Sequence, residues 1–143
     1  MKYRIAAIGA LFALSFALPT GVLAADMTID MLNKRDDGAK MAYSEDIARI
    51  DVGDTVTWVP TSKGHNVEFI AGPDGWEAPK KSKLGKEYAY TFDTPGVYLY
   101  QCTPHKSMGM IAVVVVRDGD NDISGAKVRG KSKKKLAEIL EQL

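Results

Sequence analysis

With 143 residues, 45% of them hydrophobic, and a formal net charge of +1, the chain has the size and composition of one globular domain around a single core. Its 19 basic side chains nearly balance 18 acidic ones, which excludes a nucleic-acid-binding domain, since that needs a strong positive excess on one face. A lone cysteine, Cys102, excludes an internal disulfide.

The positively charged start Met1-Lys2-Tyr3-Arg4, the apolar run over residues 5–18 and the small-residue sequence Val22-Leu23-Ala24 read as a secretory signal peptide over residues 1–24. Cleavage is expected after Ala24 or Ala25. The apolar run is short for a bilayer span and no second run follows it, so export is expected rather than stable membrane insertion. Loss of the leader removes Lys2 and Arg4 and no acid, leaving a nearly neutral chain. In an oxidising compartment the remaining thiol must be buried or ligated.

Residues 25–118 carry strand signals. Apolar side chains alternate in Met27-Thr28-Ile29-Asp30-Met31, in Ile47-Ala48-Arg49-Ile50-Asp51-Val52 and in Thr55-Val56-Thr57-Trp58-Val59, which predicts half-buried strands. Gly53-Asp54 is a turn between the second and third, and Pro60 closes the third because it lacks a backbone donor. A short strand is expected over residues 66–70. Residues 71–86 have no clear period and read as loop with at most one helical turn, around the Pro73-Asp74-Gly75 turn. Strand pattern returns over residues 87–92, stops at Pro95-Gly96 and resumes over residues 97–102. Residues 110–116 form a nearly continuous β-branched apolar run, which predicts a strand buried on both faces.

These are about seven or eight short strands, so the fold class is all-β, a sandwich or barrel. The tail, residues 119–143, differs. Leu136, Ile139, Leu140 and Leu143 recur at helical spacing, with Lys133, Lys134, Lys135, Glu138 and Glu141 opposite. The expectation is an amphipathic helix docked on the sandwich; the alternative is a helix for a partner or a membrane surface.

The chemistry concentrates in Cys102-Thr103-Pro104-His105-Lys106-Ser107-Met108-Gly109-Met110, a loop anchored by strands at both ends. The chain's one other histidine, His65, precedes a strand and follows Lys63-Gly64. Taken singly, Cys102 suits a buried thiol, either histidine a hydrogen-bonded surface position, and Met108 or Met110 a core filler. Taken together, two histidines, a cysteine and a methionine are the ligand set of a blue-copper electron-transfer site, a trigonal His₂Cys plane with a weak axial methionine. Met110 is preferred to Met108 as the axial ligand because a strand holds its backbone and directs it inward. The cofactor expected is one type 1 copper per chain.

A copper oxidase or reductase needs an open coordination position or a second metal site, and no further histidines exist to build one, so no catalytic residue is expected. The rival reading is a copper chaperone. Structural zinc ranks behind it, since methionine is a poor zinc ligand.

The segment Gly96-Val97-Tyr98-Leu99-Tyr100-Gln101-Cys102-Thr103-Pro104-His105, continued in Met108-Gly109-Met110, resembles the ligand loop of the cupredoxin family, most of all in its pseudoazurin branch. Met31-Leu32-Asn33-Lys34, Gly53-Asp54-Thr55-Val56 and Lys63-Gly64-His65-Asn66-Val67-Glu68 support it. The resemblance implies an eight-stranded Greek-key sandwich with copper at one end, a short C-terminal helical extension, and ligands at His65, Cys102, His105 and Met110. It further implies a monomeric electron carrier of the periplasm that docks transiently with redox proteins such as copper nitrite reductase or cytochrome c. The Arg35-Asp36-Asp37 loop is expanded against the family pattern, the tail is shorter, and Gln101 stands where lysine is common.

Asn66 is expected to brace the Cys102 loop, and backbone donors near Met41 and Thr103 to reach the sulfur. The expected docking surface is an apolar patch of Met41, Pro104 and Met108 around the His105 edge, ringed by Lys34, Lys63, Lys80, Lys81, Lys83 and Lys106.

Overall fold

A computed structural model describes residues 24–143, and all of the expected signal peptide but its last residue, Ala24, lies outside them. Alternation of apolar and polar side chains becomes eight strands: β1 (Asp26–Lys34), β2 (Lys40–Tyr43), β3 (Ile47–Ile50), β4 (Thr55–Val59), β5 (Glu68–Ala71), β6 (Tyr88–Thr91), β7 (Gly96–Gln101) and β8 (Ile111–Val116). They form two four-stranded sheets, in the orders β2-β1-β4-β6 and β3-β8-β7-β5. The pairs β1–β4 and β3–β8 are parallel and the rest antiparallel, so the chain crosses between sheets as a Greek-key sandwich requires.

Period-two alternation decides what fills the space between the sheets. Ile29 and Met31 of β1 and Val56 and Trp58 of β4 are fully buried against Tyr98, Tyr100, Ala112, Val114 and Val116. Aromatic rings there meet edge to face, as Trp58 does with Tyr100 at 5.2 Å between centroids. The opposite faces of β7 and β8, carrying Val97, Leu99, Ile111, Val113 and Val115, are buried as well. Their cover is the tail: Ile123, and Leu136 and Ile139 of the helix α1 (Ser132–Leu140). The continuous apolar run of β8 is thus a strand with a core on each side, and the amphipathic stripe of the tail is the second core's lid. Among the described residues no helix is long and apolar enough to cross a membrane.

Strand β2 was not expected from the residue pattern. Met41 adopts a left-handed φ of 48°, and the burial of Ala42 and Tyr43 in succession breaks the alternation that marks a strand. Strand β3 ends at Ile50 because the next residues enter the turn at Gly53, whose φ of 93° suits glycine. Strand β5 starts two residues later than expected, at Glu68, and residues 72–86 contain no helical turn.

The β1–β2 loop is tied down by charge. Arg35 pairs with Asp37 at 2.6 Å and with Asp46 at 3.0 Å, and Lys135 of α1 pairs with the same Asp46. One carboxylate between β2 and β3 therefore joins the hairpin to the C-terminal helix.

Candidate metal centre

Strand β7 delivers Cys102 to one end of the sandwich, where a 3₁₀ turn over Thr103–His105, with Pro104 fixing its φ, swings the imidazole back toward the sulfur. The turn is closed by the His105 amide on the Cys102 carbonyl at 3.1 Å and the Met108 amide on the His105 carbonyl at 2.9 Å. The Cys102 amide donates to the Met110 carbonyl at 3.0 Å, which sets the cysteine beside the start of β8. His65 arrives from the other side, after Gly64 at φ 86°, and is fully buried.

The result is a triangle of donor atoms. His105 Nδ1 lies 3.3 Å from Cys102 Sγ, His65 Nδ1 lies 3.7 Å from it, and the two nitrogens are 3.1 Å apart. A first-row metal ion centred in such a plane, with bonds of about 2.0 Å to nitrogen and 2.3 Å to sulfur, gives edges of about 3.5 and 3.7 Å. The triangle comes within a few tenths of an ångström of that. Its donor set of one thiolate and two imidazoles suits copper in both oxidation states, so the residues fit the ion. Met110 is fully buried beside the cysteine, whereas Met108 is 47% exposed, as expected for a loop residue.

Asn33 orients His65. Its Oδ1 accepts the Nε2–H of His65 at 2.8 Å, which leaves the Nδ1 lone pair facing the sulfur. Burial holds both imidazoles below the ordinary histidine range, and the neighbouring His105 adds to the effect at His65. Burial pushes the Cys102 thiol up, while the backbone N–H groups of Asn66 and His105 pull it down. The Thr103 amide is committed elsewhere, to Asn66 Oδ1 at 2.8 Å.

Asn66 braces the loop. Besides accepting that amide, its Nδ2 donates to Thr103 Oγ1 at 3.0 Å and to the Ser82 carbonyl at 3.2 Å. Thr103 Oγ1 passes the chain on to Glu68 Oε2 at 3.1 Å, and Gln101 Nε2 donates to the same oxygen at 2.9 Å. The carboxylate thus takes neutral donors, which is what glutamine at position 101 permits and lysine would not.

The residues expected to form one docking patch fall into two grooves. Met41 and Met108 line one, together with Lys40, Lys131 and Lys134; Pro104 lines the other with Leu84, Lys80, Lys81 and Lys83. Lys34 and Lys63 are exposed and Lys106 is half-buried, and none of the three lines either groove. His105, half-buried, stands in the chain between Pro104 and Met108.

Residues 29–117 match the family model for copper-binding proteins of the plastocyanin/azurin family. The chain belongs to this family. Among its relatives in the plastocyanin/azurin family is a putative pseudoazurin of Rhizobium leguminosarum bv. viciae, 42% identical over 133 residues, covering 89% of this chain and 86% of that protein. A pseudoazurin of Paracoccus pantotrophus is 39% identical over 129 residues, covering 89% and 88%. The structure of a pseudoazurin from Sinorhizobium meliloti superposes with a TM-score of 0.78 at 41% identity, covering 82% of this chain and 95% of that one. As a plastocyanin/azurin-family protein the chain is a blue-copper electron carrier that docks with redox partners and is not an enzyme.

Proposed function

We propose that His65 and His105, through Nδ1, Cys102, through its sulfur, and Met110, through its thioether, would hold the copper. The observation that carries this is the convergence of both Nδ1 atoms on one buried sulfur. When bound, the metal supplies a Cu(I)/Cu(II) couple for single electrons. The protein's part is to hold the donors still: strands β7 and β8 fix Cys102 and Met110, Asn33 fixes the His65 ring, and Asn66 fixes the loop. Little rearrangement then accompanies a change of oxidation state.

The carrier works as a monomer in the periplasm, to which the leader over residues 1–24 directs it, and Lys2 and Arg4 leave with that leader. Its partners are redox proteins, copper nitrite reductase or cytochrome c being of the fitting kind. They meet the His105 edge, where an apolar groove at Pro104 edged by lysines and a mixed, charged groove at Met41 and Met108 suit a brief encounter that charge accelerates and little buried area lets go. Those lysines favour an acidic partner face.

A copper chaperone is the second reading, but the fully buried Cys102 weighs against it, because handing metal on calls for accessible sulfur. Absorption spectra of the mature protein with Cu(II), after ascorbate and after Cys102→Ser, separate the two. Strong visible bands that bleach reversibly and vanish in the variant are expected. A colourless protein that keeps Cu(I) through oxidation would favour the chaperone, and one that binds no copper would overturn the ligand assignment.

A further inference from the structure

The ligand loop is pinned at its two ends by strands, yet its outer turn, Lys106-Ser107, is gripped by a distant part of the chain. Ser132, the first residue of α1, donates its hydroxyl to the Lys106 carbonyl at 2.7 Å and is fully buried. The preceding amide, of Lys131, donates to the Ser107 carbonyl at 2.9 Å. Gly130 adopts φ 55°, and a Cβ there would collide with the Ser107 carbonyl oxygen, so its lack of a side chain lets the tail approach this closely.

Three consecutive tail residues therefore close on two consecutive loop carbonyls. Ser132 stands one residue past the N-cap, Lys131, so its hydroxyl is not placed to cap the helix's own amides. Here α1 has no side-chain cap, and the Ser132 hydroxyl serves the loop instead. The tail is in turn immobilised, by burial of Leu136 and Ile139 and by the pairing of Lys135 with Asp46.

The geometry points to a functional role for the tail: Ser132 is a positioning residue that, with Gly130 and the Lys131 amide, clamps the Lys106 and Ser107 carbonyls and so fixes where His105 stands relative to Cys102. Lys106 follows His105 directly, and the Met108 amide returns to the His105 carbonyl, so a shift of the clamped turn is a shift of the imidazole. The inference rests on His105 and Cys102 being copper ligands.

The test compares Ser132→Ala, Ser132→Thr, Gly130→Ala and, as a packing control away from the loop, Ile123→Val. Amide exchange of Met108 is followed in copper-free protein, and the ratio of visible bands and the reduction potential in copper-loaded protein. Ser132→Ala is expected to speed Met108 exchange about tenfold, the scale of one lost hydrogen bond, and to change both the band ratio and the potential. Ser132→Thr, which keeps the hydroxyl, restores most of each. Gly130→Ala disturbs the same spectral features with the hydroxyl intact, so the clamp stays testable if Ser132→Ala folds poorly. Ile123→Val lowers Tm alone. The clamp is overturned if Ser132→Ala and Gly130→Ala lower Tm as the control does while exchange, spectrum and potential match the parent. A parent protein without visible bands would instead overturn the ligand assignment beneath it.

Discussion

At the scale of single residues, the site depends on side chains that never touch the metal position. Asn33 holds one imidazole by a single hydrogen bond to the nitrogen that does not face the sulfur. Asn33→Ala leaves that ring free to turn, and copper affinity is expected to fall about 10- to 100-fold, measured by competition with a chelator. Asn66 is 3% exposed and makes three hydrogen bonds to Thr103 and Ser82. Its replacement by alanine strands the Thr103 amide and is expected to cost about 1–3 kcal/mol in urea unfolding of the copper-free protein. No measurable change would show that water replaces the brace.

At the scale of elements, the Asp46 clasp makes the docking of α1 sensitive to acid. Burial alone would raise the Asp46 carboxyl, but Arg35 and Lys135 outweigh it and hold it below the ordinary value. The Arg35 guanidinium likewise holds the exposed Asp37 down to about 2. A depressed carboxylate contributes its stability above the unfolded value, 3.8 here, and loses it as pH falls through the folded value. Asp46→Asn is therefore expected to lower stability at neutral pH by about 1–3 kcal/mol, and the gap from the parent should close as pH drops below about 4. A gap independent of pH would mean that the ion pairs contribute nothing. Strands β4, β6, β7 and β8 were legible because their alternation or continuity is local; β2 was not, because the left-handed backbone at Met41 erases its period.

At the scale of the molecule, the sandwich has two cores, and the tail closes the second. A chain ending at residue 118 uncovers Val97, Leu99, Ile111, Val113 and Val115 and discards Leu136 and Ile139, each side chain worth about 1.5–3 kcal/mol when buried. That loss rivals the whole stability of a small domain, about 5–15 kcal/mol. Such a chain is expected to aggregate or unfold, read by gel filtration and circular dichroism; a folded monomer would show that the inner core suffices. Charge acts at this scale too. With exposed lysines edging the Pro104 groove, electron transfer to an acidic partner is expected to slow as ionic strength rises toward 0.5 M, with roughly tenfold across the range in stopped flow.

The sequence by itself determined the metal chemistry, because the whole supply of cysteine and histidine is three residues and their types already specify a copper donor set. It determined the all-β class and the double burial of β8 for a similar reason, since side-chain period and apolar continuity are properties of neighbouring residues. Only the tertiary structure decided which asparagine turns His65, that Ser132 binds the tail to the ligand loop, and that Asp46 binds it to the β2–β3 turn. Those contacts join residues 32, 26 and 89 positions apart, for Asn33–His65, Lys106–Ser132 and Asp46–Lys135. A hydrogen bond across such a distance leaves no period in the chain; it exists only once the sheets have brought its two ends together.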